Sequence, residues 1–178
     1  TVTNINDAGV GSLRQAITDS NADNTATVAL PHSIQFAIAG AGVKTIAPTS
    51  QFPFITRPVV IDGYTQPGSS ANTLAVGDNS VHLIELDGTN GNIFNSLLSF
   101  EAGSGGSIAR GLVINRTESA VFIGTGNVKL EGNFFAINVS GTAAIGNAGI
   151  NIGNGVSSDP GVVVIGGSLP AQRNVIAG

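Results

Sequence analysis

Three charged residues, Asp62, Asp87 and Arg110, form the grouping in this sequence that could carry chemistry. Each precedes a glycine at the end of a short apolar run. Acidic side chains on neighbouring strands can hold Ca²⁺, and an arginine beside them can abstract a proton next to a uronate. Neighbouring strands lie about 4.8 Å apart. The three residues would therefore form a charged ladder if they occupy successive strands of one sheet.

The same region offers pairs of carboxylates. Glycoside hydrolysis needs two carboxyl groups roughly 5–10 Å apart, which Glu85 with Asp87, or Glu131 with a neighbour, could provide. Residues two apart on a strand share a face, so Glu85 and Asp87 also fit an ordinary solvated surface. We interpret Asp62, Asp87 and Arg110 as outward-facing residues at strand ends, and we assign no catalytic residue.

Metal and cofactor chemistry has little support in the sequence. His32 and His82 are far apart and lack a metal-binding motif, so we expect both at turns or strand edges and expect no metal or cofactor. Cysteine is absent, which excludes disulfides and thiolate sites. Asn115-Arg116-Thr117 and Asn138-Val139-Ser140 match the acceptor pattern for N-glycosylation.

The composition favours short strands and turns. Only 5 % of the 178 residues are aromatic and 10 % are charged, so the core must consist of Val, Ile, Leu and Ala. The 25 glycines suit a chain that turns every few residues and disfavour a helical bundle. A net charge of −4 without a basic cluster argues against nucleic acid as a partner.

No apolar run is long enough to span a membrane, because the longest, residues 34–43, is about half of the ~20 residues that a transmembrane helix needs. The sequence opens at Thr1 without a charged and then apolar leader. We therefore expect any signal peptide to have been removed or not included.

A short apolar run that ends in a small or charged residue followed by glycine recurs along the chain. Gly63, Gly88, Gly111 and Gly132 follow one another at intervals of 25, 23 and 21 residues, which is typical of repeat architectures. The following apolar runs predict strands: 34–38, 43–46, 59–61, 83–86, 112–114, 121–123, 128–130, 150–152, 162–165 and 175–176. We predict an all-β fold, a right-handed parallel β-helix with three short strands per coil.

Asparagines beside the strand ends could stack at equivalent turns and satisfy backbone groups there. In the register that we favour, residues 110–115 stack on 133–138 and then on Asn174 and Val175. The asparagines expected at such turns are Asn115, Asn133, Asn138, Asn147, Asn151 and Asn174.

An amphipathic helix is predicted near the start of the chain. Ser12 and Gln15 fit a capping box, and Leu13 and Ile17 share one face. A helix of about ten residues is not stable alone in water, so its apolar face must dock. We expect it to cap the first, open end of the β-helix.

These motifs resemble the large secreted or surface-exposed bacterial proteins of the pectin-lyase-like superfamily, which have right-handed parallel β-helix repeats. The resemblance covers nearly the whole chain. The segments that carry it are 11–17, 58–68, 83–88, 110–115 and 173–178. Where relatives commonly carry a Gly-Thr-Asp turn, this chain has Ala136-Ile137-Asn138. The neutral amide of Asn138 argues against a calcium role at that turn.

We predict a single domain, residues 1–178, with a strand and capping helix in 1–30, coils in 31–178 and an uncapped C-terminal end. The function that we predict is a non-catalytic structural or adhesive module of a secreted or cell-surface bacterial protein. The alternatives are a carbohydrate-active enzyme (polysaccharide lyase or glycosidase) and a filament subunit that stacks end to end. Its partners would be carbohydrate or a neighbouring β-helix segment or subunit.

Overall fold

The computed structural model describes residues 1–90, 96–146, 149–153 and 161–177 of the chain. The predictions for Asn147 and Gly178 fall outside these residues. No helix in the described part is both long and apolar enough to cross a membrane.

The predicted N-terminal helix is present as α1, Leu13–Ala22. Ser12 Oγ accepts a hydrogen bond from the Gln15 backbone N–H at 3.1 Å, as the capping box predicts. The Gln15 side chain does not return to the cap but donates to Asp19 Oδ1 at 2.7 Å. Leu13 and Ile17 are buried in the main core, so α1 is anchored by its apolar face.

Thirteen strands in the described residues form three parallel sheets. Sheet A contains, in spatial order, β1 (His32–Gln35), β3 (Val59–Asp62), β6 (Ile108–Arg110), β9 (Lys129–Glu131) and β12 (Val164–Ile165). Sheet B contains β2 (Lys44–Ile46), β4 (Ile84–Asp87), β7 (Leu112–Asn115), β10 (Phe134–Phe135) and β13 (Val175–Ile176). Sheet C contains β5 (Leu98–Phe100), β8 (Ser119–Ile123) and β11 (Gly149–Ile152).

The predicted strands match most of these elements to within a few residues, but β5, β6 and β10 are absent from the predicted apolar runs. Two glycines explain why longer runs divide. Gly111, at φ 69°, separates β6 from β7, and Gly132, at φ 60°, separates β9 from β10. A left-handed residue turns the chain sharply, so one short stretch of sequence contributes strands to two sheets.

Apolar side chains at matching register positions line up in columns across each sheet. The column of sheet A is Ile34, Ile61, Ala109, Leu130 and Ile165. The column of sheet B is Ile46, Leu86, Ile114, Phe135 and Ile176. The column of sheet C is Phe100, Ile123 and Ile152. Every member is buried except the last of each column.

The structure corrects the predicted fold class. The all-β assignment is wrong because α1 contributes to the core beside the strands. The predicted winding into three-stranded coils is not shown either, since the strands form three separate, open sheets of five, five and three strands. The described residues form a mixed α/β fold with three parallel sheets, and a right-handed parallel β-helix is not shown.

The glycine intervals misled the prediction because they mix two sheets. Gly63 and Gly111 follow β3 and β6, which are neighbours in sheet A, whereas Gly88 follows β4 of sheet B. The intervals of 25 and 23 residues therefore connect positions that do not stack. The interval of 21 residues, from Gly111 to Gly132, does connect the ends of two neighbouring strands, β6 and β9.

The predicted asparagine stack is present in part. Asn133 Nδ2 lies 3.4 Å from Asn174 Oδ1, while Asn133 Oδ1 accepts from the Leu112 N–H at 3.1 Å. The register between β7 and β10 differs from the predicted one by two residues, because Val113 pairs with Phe134. A shift of two keeps the same side chains on the inner face, so the apolar pattern could not detect it.

Candidate functional site

The structure brings two of the three predicted site residues together. Asp62 ends β3 and pairs in register with Arg110 at the end of β6, which in turn pairs with Glu131 at the end of β9. Arg110 Nη2 donates to Asp62 Oδ2 at 2.7 Å. This row of acid, base and acid, which we call the sheet A ladder, is the candidate functional site.

Asp62 is committed to local structure through both carboxylate oxygens. Its Oδ2 accepts from Arg110, and its Oδ1 accepts from the Tyr64 N–H at 3.1 Å at the start of a single 3-10 turn, Gly63–Thr65. Only 10 % of the Asp62 side chain is exposed. Asp62 thus lies at a strand end, as interpreted from the sequence, but its carboxylate is largely buried because it caps the 3-10 turn and pairs with Arg110.

Arg110 is poorly suited to the role of a base. The hydrogen bond to Asp62, with further attraction from Asp62, Glu131 and Tyr64, raises the pKa of the guanidinium against the opposing effect of partial burial. A general base must be able to give up its proton near the working pH. In this setting Arg110 holds its proton more firmly than a free arginine does.

Glu131, the last member of the ladder, is also buried and paired. Its Oε1 accepts from Gln172 Nε2 at 3.0 Å, and Gln172 belongs to the 3-10 turn Pro170–Gln172. The sequence reasoning missed Gln172, because its link to Glu131 joins residues 41 positions apart. The carboxylate at the end of the ladder is therefore hydrogen-bonded to a neutral amide and is not a free charge.

Asp87 does not join this ladder. It ends β4 of sheet B, where its register partner is Asn115, and its Oδ2 accepts from Arg116 Nη1 at 2.8 Å. Its Oδ1 accepts from the Thr89 N–H at 2.9 Å. The chain leaves sheet A after Asp62 and enters sheet B with β4, so Asp62 and Asp87 occupy different sheets.

The carboxylate pair Glu85 and Asp87 shares one guanidinium. Arg116 Nη1 lies 3.4 Å from Glu85 Oε1 and 2.8 Å from Asp87 Oδ2. Glu85 also accepts from Thr45 Oγ1 at 2.7 Å and from Asn115 Nδ2 at 3.1 Å. Two carboxylates bridged by one cation cross-link strands and do not flank an open cleft. The sequence reasoning missed Arg116, which stands just past β7 in a left-handed conformation at φ 53°.

The remaining candidates fall at separate places. His32 is the first residue of β1, and His82 is buried just before β4. Asn115 is fully buried, so the first glycosylation pattern is not accessible, while Asn138 accepts at Oδ1 from the Thr142 N–H at 2.8 Å. Within residues 1–90, 96–146, 149–153 and 161–177, no group of three or more histidine and acidic side chains is arranged to hold a metal ion.

The sheet A ladder can therefore hold strands in register, but its groups are engaged with one another. Comparisons with protein-family models, with curated proteins and with solved structures found no match to this chain, so the resemblance to the pectin-lyase-like superfamily stays a prediction and no family is assigned.

Proposed function

We propose that this chain is a non-catalytic structural or adhesive module that docks a further layer of parallel strands at one end. The observation that carries the proposal is the exposure of the last isoleucine in each core column. Ile165, Ile176 and Ile152 are 41 %, 55 % and 55 % exposed, although the residues before them in the columns are buried. We call this surface the open end.

The opposite end of the three columns is covered. Ile34, Ile46 and Phe100 are buried in one cluster that also contains Leu13 and Ile17 of α1. The two ends therefore differ in exposure, because buried side chains stand at one and half-exposed isoleucines at the other. A module of this shape favours association through the open end.

The open end also offers backbone groups. β11, β12 and β13 are the last strands of their sheets, and no described strand pairs with their outer edges. Edge strands with free N–H and C=O groups accept added strands, and buried apolar area contributes roughly 25 cal/mol per Å². The partner chemistry that fits is a parallel strand with a branched apolar side chain at the position of each column.

The non-catalytic part of the proposal is supported by the pairing of the candidate charges. Asp62 is bound by Arg110, Glu131 by Gln172 and Asp87 by Arg116. Incubation with a panel of anionic and neutral polysaccharides should release no unsaturated or reducing ends. Turnover of any of them would instead establish the carbohydrate-active enzyme. Secretion or cell-surface location stays a prediction.

Sedimentation of the purified chain tests the docking surface. We expect reversible association that rises with protein concentration, because two open ends can cover each other when no further layer is supplied. The triple variant Ile152→Lys, Ile165→Lys and Ile176→Lys should remain monomeric.

The matched control places three lysines at exposed apolar positions elsewhere, in Val10→Lys, Val28→Lys and Leu30→Lys, and should associate like the unchanged chain. A monomeric unchanged chain at every concentration, or equal loss of association in the control, would contradict the docking surface. Long fibres in electron micrographs would favour the filament alternative, since association through the open ends alone stops at dimers.

A further inference from the structure

His82 occupies an aromatic cage that the proposed function does not use. Its ring centroid lies 4.1 Å from that of Phe134 and 5.5 Å from that of Tyr64, with tilts of 44° and 39°. The residue is only 3 % exposed. Tyr64 is itself fixed, because its hydroxyl donates to the Gly132 carbonyl at 2.7 Å. The imidazole is thus packed between two largely buried rings, and Tyr64 is held in place by its hydroxyl.

The polar atoms of the imidazole are unevenly satisfied. Nε2 lies 3.0 Å from Ser80 Oγ, and the Ser80 hydroxyl also contacts Asp78 Oδ1. Nδ1 is buried and has no hydrogen bond of normal geometry, although the Gly111 carbonyl faces the ring. A neutral imidazole can leave one nitrogen without a donor hydrogen, whereas an imidazolium must place an N–H at both.

The ring is placed where a long surface loop rejoins the sheets. Residues 66–82 leave the 3-10 turn after β3 and return to β4, closed by paired backbone hydrogen bonds of 3.0 and 2.8 Å between Ser70 and Val81. The far part of the loop is held separately by Arg173, which donates to the carbonyls of Leu74, Ala75 and Gly77. His82 therefore holds the base of the loop, and Arg173 holds its tip.

We propose that His82 is an acid-released latch, whose neutral ring seats the base of the 66–82 loop between Tyr64 and Phe134 and whose protonation expels the ring from that cage. The inference does not rest on the docking surface at the open end, because the cage residues Tyr64, His82 and Phe134 are not among the isoleucines that define that surface.

The direction of the pH effect follows from the surroundings of the ring. Burial lowers the pKa of His82 below its ordinary value of about 6.5, against the Gly111 carbonyl and Asp78, which favour the charged form. The Tyr64 hydroxyl, with Asp62 and Arg110 beyond it, is the titratable neighbour on the other side. Since the released ring binds a proton more readily, closure is favoured fully above about pH 6.5 and is lost as the pH falls below that value.

Tyr64 provides the readout, because it is the single tyrosine and the chain contains no tryptophan. Burial raises the pKa of Tyr64, so its own ionisation does not interfere in acid. Between pH 7.5 and 5 we expect a reversible change in tyrosine emission. We also expect a reversible loss of amide protection in residues 80–83 after correction for intrinsic exchange.

Matched variants assign the change to one histidine. His82→Gln should abolish the pH-dependent change, and His82→Phe, which refills the cage without a titrating group, should hold the emission at its neutral-pH value down to pH 5. His32→Gln removes the other histidine and should leave the transition intact. A transition that survives in both His82 variants, or its absence from the unchanged chain, would overturn the latch.

Discussion

Asp62 and Arg110 show how charge is used at the level of single residues in this protein. The carboxylate is buried at the end of β3, while the guanidinium is 43 % exposed, so the pair lies at the boundary between the strand ends and water. A buried charge without a partner is costly, whereas a paired one holds two strands in register. The ion pair between Arg110 and Asp62 therefore holds β6 and β3 in register.

Removing the charge of Asp62 should weaken the fold. We expect Asp62→Asn to lower the free energy of unfolding by about 1–2 kcal/mol in urea titrations, because a charge-assisted bond to a half-exposed arginine is lost while the Tyr64 N–H keeps an acceptor. Asp19→Asn, at an exposed position of α1, should change it little.

A double-mutant cycle with Arg110→Gln separates the pair from the turn. The coupling between the two substitutions should account for most of the loss. Additive effects would mean that Asp62 stabilises through the 3-10 turn alone.

The sequence predicts where the strands of this site end, but it does not predict which strand ends become neighbours. Asp62, Asp87 and Arg110 each precede a glycine, a local signal that marks strand ends correctly in all three cases. Which ends become neighbours depends on the sheet that each strand joins. Asp87 carries the same local signal but belongs to sheet B, so its partner is Arg116.

Elements differ in how far their own sequence specifies them. The start of α1 is encoded within four residues, since Ser12 caps the Gln15 N–H, and it could be predicted. The pairing of β7 with β10 could be predicted as well, but its register could not, because a two-residue shift buries the same face. That choice is made by Asn133, whose Oδ1 and Nδ2 bind the Leu112 N–H and the Ala109 carbonyl.

Gly111 turns the chain from sheet A into sheet B, and the corner has no room for a side chain. A Cβ at Gly111 would lie 2.7 Å from the Tyr64 backbone nitrogen and 2.8 Å from its ring. We expect Gly111→Ala to combine the strain of an L-residue at φ 69°, about 1–2 kcal/mol, with an overpacking cost of about 1–3 kcal/mol. Thermal and urea unfolding measure the sum.

Gly42 separates the two contributions. Its φ of 76° is also left-handed, but a Cβ there would meet nothing within 4 Å. Gly42→Ala should therefore show the strain alone. Equal losses in Gly42→Ala and Gly111→Ala would show that Tyr64 does not crowd the corner.

At the scale of the whole molecule, side-chain burial is lost at the same end of all three columns. Each begins on a buried residue and ends on a half-exposed isoleucine, so burial is lost at β11, β12 and β13, the last strands of the sheets. Stability in a structure of this kind is not uniform, since local opening follows the density of buried apolar contacts. We therefore expect β11, β12 and β13, at the exposed ends of the columns, to open first.

Two truncations in one column measure this gradient. Leu130 is fully buried in β9, and its register partner Ile165 in β12 is 41 % exposed. We expect Leu130→Ala to lower the free energy of unfolding by about 2–5 kcal/mol, because it leaves a cavity, and Ile165→Ala to cost less than half as much. In hydrogen exchange, the amides of β12 and β13 should exchange before those of β3 and β4. Uniform protection along the sheets, with equal costs for the two truncations, would mean that the open end is as well packed as the middle of the molecule and would remove the physical basis for docking there.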